Sequence, residues 1–334
     1  MRLLKFLLIL GTLWTHQSIA DISLPGKGVQ PVKVKLSIFV LDLDGIDNVN
    51  QTFQANLFFI ANWNDSRLAH SGTEEVSRPL DEVWNPRLQI LNQQRTVKTF
   101  PDVVKIDPQG NVTYRQRLWG NFSQPLELRN FPFDKQQLEI SIIASGHTPE
   151  DVVIVAHSEK SSGIGENLSI PDWKVVDWKA EPITFKPGSE LINALSGFTF
   201  SFTVKRQYLF FMAKVIIPLI LIMAMSWVVF WMDPKDGGSS QIGISVTAML
   251  TLIAYTFSIS SNLPKVAYLT RLDLFVLAST VLVFLALAEV TVASYQVRCG
   301  RVELARKIDR WARWCFPAVF ALITMGSIGL GFFQ

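Results

Sequence analysis

Between Ser239 and Ile259 the chain sets hydroxyl and small side chains along one side of a stretch otherwise made of Ile, Val, Leu and Met. At about 100° per residue, Ser240, Gly243, Thr247, Leu250, Thr251, Ala254, Phe257, Ser258 and Ser261 share roughly 120° of arc. The chemistry open to such a stripe is not covalent. Hydroxyls hold water or pass an ion, and apolar rings between them form a constriction that water wets poorly. Lipid offers no reason to gather polar groups on one face, because each unpaired one costs free energy there. The stripe therefore faces a water-filled pore, or packed protein with its Ser and Thr bonded to their own backbone.

Little else in the sequence suggests reaction chemistry. His16, His70, His147 and His157 lack metal-ligand spacing, and no nucleophile elbow, phosphate loop or zinc motif is present. The expectation is therefore no enzyme, no metal and no cofactor. A net charge of +3 gives no reason to expect nucleic acid. Glu289 sits inside an apolar run, where a carboxylate is a functional candidate by default. It lies near the end of that run, so a structural role beside nearby arginines is the preferred reading.

The elements that position these residues fall into two unlike parts. Residues 1–20 read as a signal peptide: Arg2 and Lys5, the apolar run Leu7–Leu13, then Ser18-Ile19-Ala20. From 21 to 207 short alternating runs lie between turn signals, as in Val32–Val40, Thr52–Trp63, Val112–Trp119, Leu138–Ile143 and Gly197–Val204. Asp44-Gly45 marks a turn, and Asp81–Leu91 has room for one or two helical turns. Eight or more such strands predict an all-β sandwich on the exported side. It contains no cysteine, since Cys299 and Cys315 lie downstream, so it must hold together by its core.

From 208 to 334 the composition predicts an all-α, four-helix membrane domain, with spans at about 209–231, 239–259, 272–297 and 311–333. The segment Arg298–Arg310 then forms a short basic cytoplasmic loop, in keeping with the positive-inside rule, and Trp227, Trp231, Trp311 and Trp314 fall at one interface. Pro218 frees a carbonyl in the first span that a neighbour must satisfy. The chain is thus expected to be a multi-pass protein of the cell membrane, periplasmic on its sandwich side if bacterial. Five Asn-x-Ser/Thr sequons, in a chain without a disulfide in its exported part, read as chance.

Residues Leu126–Gln137, with the core Phe131-Pro132-Phe133-Asp134, resemble the signature loop of the pentameric ligand-gated ion channels, the Cys-loop receptor superfamily. Gln124 and Leu138 stand where animal members carry the loop cysteines, as in the prokaryotic branch. Trp63-Asn64-Asp65-Ser66-Arg67-Leu68 is similar to the family's Trp-x-Asp-x-Arg-Leu strand, and Trp84-Asn85-Pro86 to its Trp-x-Pro segment. Arg206 and Pro218 match the arginine before the first span and the proline within it. Asn262-Leu263-Pro264 resembles the second-to-third span linker of the Erwinia-type bacterial members.

The resemblance implies a homopentamer in the lipid bilayer, with five second spans around a path for permeating ions. It implies a small-molecule agonist, or protons, sensed at subunit interfaces. Ser240, Gly243, Thr247, Leu250, Ala254 and Phe257 are then the pore-lining set. Ser240 stands where cation-selective relatives usually carry glutamate; Asp233 and Asp236, in the loop before the helix, are the nearest acids, and cations are preferred. Phe58, Arg115, Trp119, Ser145, His147 and Phe185 are the ligand-pocket candidates. They are poor in the aromatics of an amine cage, and a buried Arg115 suits an anion better. His147 could sense pH. Asp42, Asp44, Asp134, Arg206, Pro264 and Lys265 are the candidates for coupling the two parts. The acids around Gly45 are read as salt-bridge partners first and as a divalent-ion site second. The alternative is a membrane-anchored binding receptor that does not conduct.

Overall fold

The computed structural model describes residues 22–26, 30–158, 161–188, 193–260, 266–327 and 329, apart from the side chains at 236 and 237. The expected signal peptide, Pro264 and Lys265 lie outside the described residues. Twelve strands come first: β1 (Val32–Asp47), β2 (Thr52–Asn64), β3 (Val76–Pro79), β4 (Leu88–Ile90), β5 (Gln93–Lys98), β6 (Val103–Ile106), β7 (Asn111–Ser123), β8 (Lys135–Ala144), β9 (Val152–Ala156), β10 (Gly163–Ile164), β11 (Trp173–Phe185) and β12 (Leu195–Arg206). One sheet runs β10-β1-β2-β7-β6-β3, with β5 also on β7 and β9 on β1; the other runs β11-β12-β8-β4. The period of two explains the layers. In β2, Phe53, Ala55, Leu57, Phe59, Ala61 and Trp63 are buried, while Gln54, Asn56, Phe58 and Asn62 between them are only half-covered. Phe198, Phe200 and Phe202 of β12 close the core from the second sheet. This is the expected all-β sandwich.

Two local readings change. Asp44-Gly45 is not a turn. β1 runs through it, with register shifts between Val40 and Asp42 and between Leu43 and Gly45, so bulges absorb the extra residues. The chain reverses after Asp47, whose carboxylate accepts the amides of Val49 (2.8 Å) and Asn50 (2.9 Å). Within Asp81–Leu91 the only helical turn is Leu80–Glu82; residues 83–87 are irregular and Leu88–Ile90 pairs with β8.

Five helices follow: α1 (Leu209–Phe211), α2 (Ile217–Val228), α3 (Pro234–Ser260), α4 (Arg271–Arg298) and α5 (Val302–Ser327). Leu209–Trp231, Gly238–Ser260 and Arg271–Arg298 are long and apolar enough to cross a membrane. The described part of the fourth expected span is the second half of α5, and its last residues lie outside the described set. α4 starts where Thr270 and Asp273 cap each other reciprocally, Asp273 N–H to Thr270 Oγ1 at 3.1 Å and Thr270 N–H to Asp273 Oδ2 at 2.9 Å.

The expected loop Arg298–Arg310 is mostly helix. α4 reaches Arg298 and α5 begins at Val302, leaving a tight turn through Gly300 at φ +78°. Helix continues through this charged stretch, with an i,i+3 pair between Arg306 and Glu303 at 3.2 Å.

Pro218 cannot donate to the carbonyl one turn before it. The backbone widens to π geometry over Met212–Ile216, and the Tyr255 hydroxyl of α3 donates to the carbonyls of Lys214 (2.8 Å) and Val215 (3.0 Å). A side chain of the striped helix thereby repairs the proline's defect in the first span. Tyr255→Phe should lower the thermal unfolding midpoint of the detergent-solubilised protein, since a carbonyl left bare in the bundle costs about 1–3 kcal/mol. Thr256→Val, which loses only a bond to its own helix at Leu252, should cost less.

Candidate functional site

α3 packs through Gln241, Ser245, Ala248, Leu252 and Ile259, all buried against neighbouring helices. Gln241 anchors its start, donating to the carbonyls of Val229 (3.0 Å) and Met232 (3.1 Å). The opposite side is left uncovered by the described residues. Ser240, Gly243, Thr247, Leu250, Ala254 and Phe257 are all exposed there, Leu250 at 61% and Phe257 at 76%. Thr247 and Thr251 donate to the carbonyls of Gly243 and Thr247, at 2.8 Å each. Bonding to their own backbone and facing outward thus occur together. Val246 and Ile253, which lie outside the stripe, are also exposed and flank it.

The acids near the start of this helix differ from expectation. α3 begins at Pro234, a residue suited to the first turn, so Asp236 is on the helix and not in the loop before it. Asp233 stays in the loop, accepts from the Lys235 amide at 3.0 Å and pairs with Arg306 of α5 at 3.0 Å. Those bonds hold its carboxyl below the ordinary carboxylate value.

Where the sandwich meets the helices, Arg206 is the last residue of β12 and only 3% exposed. Its Nε donates to Asp134 Oδ1 at 2.7 Å; its Nη2 donates to Asp134 Oδ2 at 3.1 Å and Asn48 Oδ1 at 2.9 Å. The guanidinium lies 4.0 Å from the Trp173 ring centre and 4.7 Å from that of Phe131. This buried pair is neutralised, forked and stacked, which is what burial of two charges requires. The loop that carries Asp134 touches the helices beyond it. Phe131 packs edge-on to Phe211 at 4.8 Å, the Leu128 amide donates to the Tyr268 hydroxyl at 2.9 Å, and the Arg271 amide donates to the Arg129 carbonyl at 3.0 Å.

Asp42 and Asp44 are engaged elsewhere. Asp42 accepts from the Ser169 amide (2.6 Å) and hydroxyl (2.7 Å), and Asp44 accepts from the Trp119 indole at 2.8 Å. Among the described residues no three His, Cys, Asp or Glu side chains converge as metal ligands. Asn48, Trp173 and Tyr268 join this region without having been marked by the sequence. They carry no charge pattern, and only the tertiary fold brings them together.

The ligand-pocket candidates separate into two groups. Phe58, Arg115 and Trp119 lie on the outward face of β2 and β7. Phe58 is half-buried, 6.0 Å from the Phe100 ring, while Arg115 is exposed beside Phe100. The cross-strand alternation sends Tyr114 and Gln116 inward and leaves Arg115 outside. Ser145 and His147 follow β8, and Phe185 ends β11. Among the described residues, no hydrogen bond or ring contact joins the two groups within one chain.

His147 is half-buried on Trp84, ring centres 5.6 Å apart. Burial holds its imidazole below the ordinary value; a bond to the Asn85 backbone opposes that shift and the charge of Arg87 adds to it. A depressed histidine favours the packed loop only while neutral. As pH falls below about 6.5, the unpacked loop takes up the proton first and packing weakens until the packed imidazole itself titrates. Hydrogen exchange of amides 145–148, corrected for intrinsic rate, should therefore accelerate below that pH, and His147→Gln should flatten the dependence.

Among the described residues Glu289 meets no arginine. Its carboxyl lies against that of Asp309 in α5, and both Glu289 oxygens are buried without a hydrogen-bond donor among the described residues.

Comparison with known proteins decides the family. The model for the neurotransmitter-gated ion-channel ligand binding domain matches residues 19–208, and that for the neurotransmitter-gated ion-channel transmembrane region matches 215–302. This chain belongs to the neurotransmitter-gated ion-channel family. It is similar to the gamma-aminobutyric acid receptor subunit beta-4 of Gallus gallus, at 29% identity over 282 residues, 81% of this chain and 57% of that subunit. The chain thus spans little more than half the length of that relative. It is also similar to a proton-gated ion channel of Gloeobacter violaceus, at 26% identity over 311 residues, 91% of this chain and 85% of that one. Its relatives are channels and not enzymes.

The joint at Arg206 yields a prediction. Asp134→Asn should destabilise the protein by about 3–5 kcal/mol, because it strands a buried guanidinium. Asp134→Asn with Arg206→Gln should cost less than the sum of the single changes, as read from thermal unfolding in a double-mutant cycle.

Proposed function

We propose that copies of this chain, five by analogy with the family, assemble around one axis as a ligand-gated channel whose pore is lined by α3. The observation that carries this reading is the uncovered face from Ser240 to Phe257. One chain cannot enclose water, so several must share that face. Residues 21–207 form the exported sensing part and 208–334 the pore part, with the α4–α5 turn on the cytoplasmic side. The stimulus is a small molecule or protons, sensed where the outward face of β2 and β7 on one subunit meets Ser145, His147 and Phe185 on the next. That division accounts for two groups of candidates with no contact in a single chain.

Cations are the proposed permeant ions. The exposed stripe carries no Lys or Arg, and Asp236 lies in the first turn of α3. Asp233 contributes less, because Arg306 pairs with it. Coupling runs through Arg206, Asp134 and the loop that touches Phe211 and Tyr268.

Five Leu250 side chains meeting on the axis would close the pore by dewetting. Leu250→Ser should then raise resting current and allow activation at lower stimulus, since the ligand must supply less differential binding energy to open the pore. In a sodium chloride gradient that current should reverse near the sodium potential. Leu252→Ser, on the buried side, should give no such gain. A surface-expressed Leu250→Ser with an unmoved activation curve would place the gate elsewhere.

A further inference from the structure

Towards the α4–α5 turn a small apolar cluster of Val229, Phe230, Ala286, Val290 and Ala312, bordered by Ile242, packs the helices together. Glu289 of α4 and Asp309 of α5 lie beside it with their carboxyls in contact, and Asp309 is 3% exposed. Ala286 and Ala312, one turn away on each helix, leave room for that approach. Gln241 of α3 joins the pair. It is 1% exposed, and its amide reaches Asp309. Both Glu289 oxygens, Asp309 Oδ2 and Gln241 Oε1 are buried with no donor among the described residues. All of these atoms only accept unless one carboxyl holds a proton. The cations nearby are engaged elsewhere or stand at the border. Arg313 faces Asp309, yet it donates to the Phe230 carbonyl at 2.9 Å and lies 4.3 Å from the Trp231 ring centre. Arg306 pairs with Asp233, the other acid that faces Asp309, and Arg310 borders the same space. Lys307 borders the side towards Glu289. Among the described residues none of them bonds to Glu289 or to Asp309 Oδ2.

We propose that Glu289 and Asp309 bind one proton between them, exchanged with the cytoplasm, and that this proton fastens α4 to α5 and, through Gln241, to the start of α3. Two carboxylates in contact away from water repel strongly, and a single O–H donor turns that repulsion into a charge-assisted hydrogen bond. Loss of the proton leaves two like charges beside an apolar cluster, which must part or draw in water. Gln241 also holds the carbonyls of Val229 and Met232, so the disturbance reaches the end of the first span as well as α3. Exchange with the cytoplasm rests on the orientation proposed above; the shared proton itself does not.

Infrared spectroscopy of the full-length protein in liposomes decides the site. A band from a protonated carboxyl should persist at about pH 7, where exposed acids are ionised, and should be lost in Glu289→Gln. Glutamine keeps the shape and a donor towards Asp309, so this variant should hold its thermal midpoint. Gln241→Met should shift the band, while Glu303→Gln, at an exposed acid in the first turn of α5, should leave it in place. As pH rises from about 7 to about 9, the wild-type thermal midpoint should fall further than that of Glu289→Gln, because the native state binds the extra proton. The resting current of Leu250→Ser in excised patches should change about fivefold when the cytoplasmic bath is stepped over that range, and adding Glu289→Gln should abolish the response. No protonated band at about pH 7, or a band and a pH slope that survive Glu289→Gln, would overturn the proposal. A current indifferent to cytoplasmic pH would overturn the link to α3. Absence of any current in Leu250→Ser would count against the channel reading, while the band lost in Glu289→Gln would still establish the proton site.

Discussion

The buried pair of Arg206 and Asp134 is the interaction on which the two halves of this molecule depend. Arg206 ends the last strand of the sandwich and stands just before the first membrane helix, so the covalent path between the halves passes through it. Its charge is held by Asp134 at 2.7 Å, its second nitrogen by Asn48, and its face by Trp173. Removing either charge alone leaves the other buried without compensation, which is far more costly than an exposed pair. The joint is therefore stiff. Asp134 belongs to the same loop that touches Phe211, Tyr268 and Arg271, so a displacement of the sandwich reaches the helices at several points at once.

The membrane part has a matching constraint. Tyr255 ties α3 to the turn before Pro218, and Gln241 ties its start to the end of the first span. Both ends of one face are thus fixed to the same neighbour. The other face, from Ser240 to Phe257, has no cover from the described residues of its own chain. Beyond it, Trp231 and Trp314 approach to 6.4 Å with Arg313 over the Trp231 ring, an aromatic and cationic border of the kind found at a membrane surface.

Much of this was legible in the residues because local period decides it. The 3.6-residue repeat separated Leu250 from Leu252, and the two-residue repeat separated core from surface in β1, β2 and β12. The signature loop and Arg206 were legible as motifs. What sequence alone misplaced depends on distant partners. Asp44-Gly45 reads as a turn, yet pairing with β2 carries the strand through it. Whether Arg115 is buried was left open by the sequence, and the alternation of β7 gives the inner places to Tyr114 and Gln116. Glu289 reads as an arginine's partner, and only the packing of α5 on α4 brings Asp309 to it. Asn48, Trp173 and Tyr268 had no pattern to betray them, since an uncharged side chain acquires its role here from contact alone.

The central claim is that ions move along the exposed face of α3, and thiol accessibility during current recording tests it most directly. With Cys299 and Cys315 replaced by serine, single cysteines introduced from Ser240 to Phe257 would be exposed to a charged thiol reagent from the aqueous phase. Block is expected at 240, 243, 247, 250, 254 and 257, with no effect at 241, 245, 248 and 252. Block at the second set, or current untouched by modification at every position, would contradict the account.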